Sequence, residues 1–420
     1  MSNQLLTISK ITMKALEVLE NQLTFSANVE RSYDDQFQNG GGKIGSTVNV
    51  RKPARYVVTS GQALVPQNSV ETYVPVTLTN QDNVGLSFSS VDLALNIDDF
   101  SDRFIKPASA ALANKIDYNG LQMAMKSTYN FVGTLGELVG TPTTAQALLA
   151  VARAGQKLDE NAAPIDGDRS AVVGPATRTG LVTANATLFN PQAQVSEIFS
   201  KGNMGKNVLG FDFYNDQNIP TLTAGTQNAT FAGATVSGGQ GGTNTIQADA
   251  TTAFTLNTAA ITGTLTAGTV FTISTVFSVN PQSRISTGNL QQFVVQADTL
   301  ASATAVSILP YPIFSGAFQN CTSATGTIPT QATCTILSGL NSNSYQQNIC
   351  FHKSAFTLAC ADLPLPQGVQ NAARASSKAG GLSIRIVGQY DIQSDNYFTR
   401  LDVLYGWKAL YPELAVRLTG

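Results

Sequence analysis

The one histidine of this chain, His352 in the run CFHKSAF, is the natural place to look for catalysis, because an imidazole titrates near neutral pH. A Ser–His–acid site would need that ring beside a serine on a sharp strand-to-helix turn, and no G-x-S-x-G occurs. Flanked by Phe351 and Lys353, His352 reads as a structural or surface residue. The glycine runs point towards phosphate. GGGKIG at 40–45 lacks the glycine five residues before its Gly-Lys pair, and Ile44 stands where a Ser or Thr would hold magnesium. GNMGKN at 202–207 fails for similar reasons, and GGQGG at 238–242 reads as a flexible loop. The acid pairs Asp34-Asp35, Asp98-Asp99 and Asp159-Glu160 could serve a glycosidase only across a cleft, in opposed environments. A solvated turn explains the first and helix capping the second equally well. Cys321, Cys334, Cys350 and Cys360 contain no C-x-x-C pair, so small buried or half-buried thiols are expected, with neither disulfides nor zinc. The expectation is a protein that is not an enzyme and holds no metal or cofactor.

Composition narrows the class further. The 420 residues allow two or three domains, and 43% hydrophobic residues exclude a wholly disordered chain. A formal net charge of -2 argues against a dedicated nucleic-acid binder, which would carry an excess of Lys and Arg. No run reaches the ~18–20 apolar residues of a membrane span. The first 20 residues place Lys10, Lys14, Glu17 and Glu20 inside their apolar stretch, unlike a secretory leader, so the protein is expected to be made and kept in the cytoplasm.

The elements that would position any site follow from periodicity. Ile8, Ile11, Ala15, Leu19 and Leu23 recur at helical steps within 5–23. From about 43 to 90 the texture is strand: Ile44, Val48 and Val50 alternate, as do Val74, Val76 and Leu78. Two strand runs around a long polar excursion predict an extended β-hairpin whose few large apolar residues cannot bury it. It is therefore either mobile or stabilised by a partner. Within it Arg51, Lys52 and Arg55 form a small basic cluster, read evenly as a solvated face or as inter-subunit contacts. Asp98-Asp99 can cap a short helix, and Pro107 suits the first turn of a longer one carried by Ile105, Ser109, Leu112, Ile116 and Met123 to about 127, the longest helical signal. Between 143 and 220 helix and strand alternate: TTAQALLAVARAGQKLDE, ATRTGLVTAN and PQAQVSEIFSKG as helices, AVVGP and NVLGFDFYNDQNIP as strands. Composition then changes sharply. From Thr221 to Tyr345 only Asp249, Arg284 and Asp298 are charged among Thr, Ser, Gly, Ala and Val, the pattern of an inserted all-β sandwich or barrel. Beyond it Leu382, Ile384 and Ile386 face Leu401, Val403, Tyr405 and Trp407 across DIQSDN as an antiparallel pair, and Leu414, Val416 and Leu418 form a last strand.

The alternation at 143–220 fits an α/β or α+β domain, and the expected fold class of the chain is α+β. Its segments LLTISKITMKALEVLENQLTF, YDDQF, KIGSTVNVRKPARY, SVDLALNIDDFSDRFIKPA, ALANKID, FHKSAFTLA, DLPLP and YGWKALYPELAVRL resemble a podovirus-type branch of tailed-phage coat proteins with the Hong Kong 97-like capsid fold. That resemblance implies an N-arm (1–42), an extended loop (43–90), a peripheral domain with its spine helix (91–142), an axial domain (143–220), a telokin-like inserted barrel (221–345) and a return to the axial and peripheral domains (346–420). It implies a major capsid protein self-assembling as hexamers and pentamers into an icosahedral shell around double-stranded DNA. A scaffolding protein, a portal at one vertex and possible decoration proteins would be partners, without sequence-specific DNA binding or a membrane. The location would be the virion capsid, assembled in the host bacterial cytoplasm. Arg51, Lys52, Arg55, Leu16 and Leu19 are the candidate inter-subunit contacts, and Glu17 and Glu20 the candidate scaffolding contacts. No covalent cross-linking between subunits is expected in this branch. The rival reading is a secreted or surface-layer β-rich adhesive subunit, which would share the charge-poor texture but should carry an export signal.

Overall fold

A computed structural model of the chain describes residues 8–32, 47–62, 64–67, 71–89, 101–139, 142–185, 205–232, 253–377 and 381–420. The acid pairs at 34–35 and 98–99, the glycine runs at 40–45 and 238–242 and the expected helix at 191–202 lie outside these residues, as does part of GNMGKN. Contacts divide the chain into two compact units. The first comprises Met1–Val50, Pro75–Gly120 and Thr357–Lys408; the second comprises Arg51–Val74, Leu121–Phe356 and Ala409–Gly420.

The first unit is built on a five-stranded sheet. Its path runs Phe356–Ala361, Asn396–Ala409, Ser383–Asp391, Asn371–Ser376, and Asn80–Ser89 pairs with Asn396–Ala409 over ten residues. The hairpin expected across DIQSDN is present, with Asp391 opposite Asn396. Its turn is stabilised by the Asp391 carboxylate, which accepts from the Gln393 N–H and the Ser394 hydroxyl. Helix α1 (Ile8–Gln22) packs on Asn371–Ser376 and Ser383–Asp391 and buries Thr12, Ala15, Leu16 and Leu19, followed by Leu23. Helix α2 (Lys106–Ser127) is the expected long helix, with Pro107 in its first turn, where a missing N–H costs nothing.

In the second unit a six-stranded sheet runs Phe131–Val132, Ala415–Thr419, Ser344–His352, Arg169–Val173, Asp212–Asn215, with Thr221–Thr223 also pairing with Ser344–His352. The last strand finds the sheet it needs, antiparallel to Ser344–His352 and parallel to Phe131–Val132. Helix α3 (Thr144–Glu160) starts at a capping box in which Thr143 and Gln146 each satisfy the other's backbone N–H. It packs with α4 (Pro175–Asn185) around Val151, Leu158, Leu181, Phe211, Phe213, Cys350, Val416 and Leu418.

The charge-poor segment holds its own sheet of seven described strands. The path is Thr230–Ala232, Thr333–Ile336, Val270–Val279, Ser286–Val295, Ala305–Leu309, Phe254–Asn257, with Cys321–Thr322 beside Val270–Val279. Phe231, Phe271, Ile273, Phe293, Val295, Ile308 and Cys334 form its core. Burying such rings supplies stability without ion pairs, at ~25 cal/mol per Å² of apolar surface. Thr221–Thr223 and Ser344–Gln346 pair with each other, so the segment's two ends belong to the six-stranded sheet and the seven-stranded one lies between them. Its path is open among the described residues, ending on Thr230–Ala232 and Phe254–Asn257.

Candidate functional site

The expected hairpin begins as Thr47–Arg51 and Tyr73–Thr77, which form a two-stranded sheet. Val48, Val50, Val74 and Val76 are buried, so the base of this arm does bury itself, contrary to the expectation for the whole segment. Beyond the base no strand pairing exists among the described residues. The Lys52 N–H donates to the Thr72 carbonyl at 2.8 Å. Farther out, the Val57 N–H donates to Gln67 Oε1 at 2.8 Å, while the Gln67 amide returns a bond to the Val57 carbonyl. The tip carries exposed apolar side chains: Val58 is 92% and Leu64 90% exposed, with Tyr56 and Val65 also more than half exposed.

The three basic candidates part company. Arg51 lies 3.9 Å from Glu71 with both side chains mostly in water, a pair worth about 0–1 kcal/mol. Lys52 is buried, its ammonium 4.7 Å from the Tyr411 ring centre. Arg55 Nη2 meets Glu413 Oε1 at 3.2 Å, and its guanidinium lies 5.6 Å from the Phe318 ring centre. Arg284, one of the three charges in the charge-poor segment, donates from Nη2 to the Tyr56 carbonyl at 2.6 Å. Lys52, Arg55 and Arg284 therefore fix the root of the arm within its own chain.

Leu16 and Leu19, expected as inter-subunit contacts, are buried in the chain's own core beneath α1. Their period of three and four serves the sheet of the first unit. Glu17 is exposed and Glu20 half-buried, with Glu20 Oε1 accepting no hydrogen bond.

The residues of possible chemistry have structural places. His352 Nδ1 accepts from the Ser354 N–H at 3.3 Å, capping the short turn Lys353–Ala355, so Nε2 carries the proton towards Asp166 at 3.1 Å. The Asp166 carboxyl is held below its usual range by the Asp168 N–H and then by His352. All four cysteines are buried and in the thiol form, and burial pushes Cys334 and Cys350 up to about 12. No group of three or more metal-ligating side chains occurs among the described residues, and no described helix is long and apolar enough to cross a membrane.

Three buried ionisable groups escaped sequence reasoning. Asp117 on α2 accepts from the N–H groups of Thr24, Phe25 and Ser26 at 2.7, 3.2 and 3.0 Å and from the Ser26 hydroxyl. Burial raises its pKa more than these bonds lower it. Asp402, fully buried, pairs with Arg385 and Arg400. Arg417, also fully buried, donates from Nη1 to the Met125 and Gly268 carbonyls at 2.9 and 2.7 Å, and burial lowers its pKa to about 9. Only Arg417 left a trace, as a charge set between Val416 and Leu418 in an otherwise apolar strand.

The arrangement shows no convergent reactive cluster among the described residues; its conspicuous feature is a rooted arm with an apolar tip. Comparison with known proteins gives it a context. The model described as "P22 coat protein - gene protein 5" matches residues 2–420. No curated protein matches the chain. Among solved structures it is similar to one of Mycobacterium phage Che8, at 13% identity, TM-score 0.48, covering 94% of this chain and 90% of that one. The capsid of the Cyanophage P-SCSP1u follows at 14% identity, TM-score 0.43, with 89% and 83% covered. The mature capsid of bacteriophage PhiM1 shows 10% identity, TM-score 0.43, with 91% and 82% covered. The assignment rests on the family match, which spans nearly every residue: the chain belongs to the P22 coat protein family.

Proposed function

We propose that this coat protein works without catalysis, and that the part of the expected arm (43–90) beyond its base, between Arg51 and Tyr73, makes the contacts that join one subunit to the next, Asn80–Ser89 being a strand of the first unit's sheet. As a member of the family it forms a capsid shell from many copies of itself. The observation that carries the proposal is the arm's asymmetry. Its root is held by Lys52, Arg55 and Arg284, while Val58 and Leu64 stand almost wholly in water. Covering a Val or Leu side chain is worth ~1.5–3 kcal/mol, so a neighbouring subunit gains by seating the tip. In this reading 91–142 supplies the peripheral domain, 143–220 the axial domain, 346–420 returns to both, and the charge-poor insert at 221–345 is carried on that frame. A scaffolding protein, met through Glu17 and Glu20, guides closure in the bacterial cytoplasm, a portal takes one vertex, and double-stranded DNA is enclosed without sequence-specific contact.

Co-expression with and without the scaffolding protein tests this. Wild-type coat protein should sediment as closed particles with scaffold present. The double variant Val58→Ser, Leu64→Ser should stay as folded, slowly sedimenting subunits. Normal particles from that variant would refute the role of the arm. A boiled denaturing gel of the particles should show single-subunit bands; a ladder of higher mass would refute the absence of cross-links.

A further inference from the structure

Beside the arm root, within the second unit, lies an open cleft of about 410 Å³. Its walls come from the arm at 55–56, the turn after α3 at 161–164, the insert's hairpin turn at 281–284 and the chain's return at 411–414. Such a volume suits a small organic ligand. Three charged residues line it: Arg55, Arg284 and Glu413. Glu413 offers the cleft no acceptor, because Oε1 is taken by Arg55 and Oε2 is buried away from the surface. The two guanidinium groups remain open. Arg55 engages Glu413 through Nη2, while its Nε and Nη1 have no partner among the described residues and are not buried, on a side chain 36% exposed. Arg284 gives Nη2 to the Tyr56 and Ala317 carbonyls and buries Nε, which leaves Nη1 open. The charge that the cleft presents is therefore positive. Arg284 also holds its place against the backbone's preference. Its φ is +55°, in the left-handed region that favours glycine, and such residues concentrate at functional sites.

From this we propose that the cleft binds a carboxylate anion carried on a small apolar body. A guanidinium presents paired N–H groups whose spacing matches the two oxygens of a carboxylate. A cation would be repelled by both arginines, and a neutral molecule would gain nothing from their charge. Pro164, Pro281 and Leu414 make part of the wall apolar, which favours an organic acid over inorganic phosphate. A carboxylate there would tie four separate stretches of chain together and stiffen the root from which the arm projects. Two sources supply this chemistry, a free organic acid and an Asp or Glu side chain of a neighbouring subunit, and the test separates them.

The unassembled full-length subunit is titrated at low salt with benzoate, benzyl alcohol and inorganic phosphate, followed by ligand-observed NMR. Benzoate should saturate a single site at least about tenfold more tightly than either of the others, since charge-assisted hydrogen bonds are roughly twice as strong as neutral ones. Arg284→Gln should remove most of that advantage. Arg51→Gln, at an exposed pair outside the cleft, should leave it unchanged. The same titration on assembled shells separates the sources: benzoate binding that persists assigns the site to a free acid, and binding that disappears assigns it to a neighbour's side chain. No saturation by benzoate, benzyl alcohol or phosphate bound as tightly, or equal losses in Arg284→Gln and Arg51→Gln would overturn the proposal. If Arg284→Gln fails to fold by circular dichroism, the affinity ratios on the wild-type subunit decide alone.

Discussion

Replacing Asp117 by alanine removes the acceptor for four donors at once. Three of them, the Phe25 and Ser26 N–H groups and the Ser26 hydroxyl, belong to residues with no exposed surface, and the Thr24 N–H is half-buried. An unsatisfied buried donor costs ~1–3 kcal/mol. Water entering the vacated space recovers part of this, and the variant no longer buries a carboxylate. The net loss should be about 3–5 kcal/mol, a large share of the 5–15 kcal/mol that holds a typical domain. Asp117→Asn keeps an acceptor oxygen but turns an amide towards the same donors, and should lose about half as much. The single tryptophan, Trp407, stacks on Phe25 with ring centres 5.3 Å apart, so its fluorescence reports on this site during urea unfolding of the subunit. Acidity supplies a second arm. Because burial raises the Asp117 pKa, the folded state holds this proton more tightly than the unfolded chain does. The group therefore adds stability as pH falls from neutral through its folded value towards 3.8, and the alanine variant cannot. The gap between wild type and Asp117→Ala should widen on acidification. A loss below about 1 kcal/mol at neutral pH, or a gap that narrows with acid, would refute the reasoning.

Four further substitutions separate burial from surface charge. Leu19→Ala should cost about 2–5 kcal/mol of subunit stability, whereas Arg55→Ala, at a partly exposed ion pair, should cost about 1 kcal/mol or less. Urea midpoints decide this; equal shifts would show that α1 is not core. Gly120→Ala would put a Cβ 2.6 Å from the Trp407 ring, and should lower stability by about 1–3 kcal/mol with a changed tryptophan spectrum. Arg417→Met should be close to neutral or stabilising, because it removes a buried cation whose Nε and Nη2 have no partner while freeing two carbonyls. A loss above about 3 kcal/mol on unfolding would show that the charge is compensated after all.

Where local chemistry decides, the fold was legible in the residues. The capping box at Thr143, the hairpin at Asp391–Asn396 and the alternation of Val416 and Leu418 each rest on neighbours in sequence. The charge-poor composition of 221–345 marked a sheet of its own because apolar cores without ion pairs need few charges. What stayed hidden depends on distant partners. A stripe of Leu16 and Leu19 looks the same whether its cover is another subunit or the strand Asn371–Ser376. Asp117 reads as one of many acids on a helix until Thr24–Ser26 arrive from 91 residues away. Glu413 likewise takes its meaning from Arg55, which lies 358 residues earlier.

The proposed role of the arm is to build the shell by its contacts. Negative-stain electron microscopy of the purified protein, beside the Val58→Ser, Leu64→Ser double variant, tests it most directly. Shells or tubes are expected from the wild type and none from a double variant whose urea midpoint is unchanged. Wild-type protein that remains a small, stable monomer under every assembly condition, or a variant that assembles as well as wild type, would contradict it.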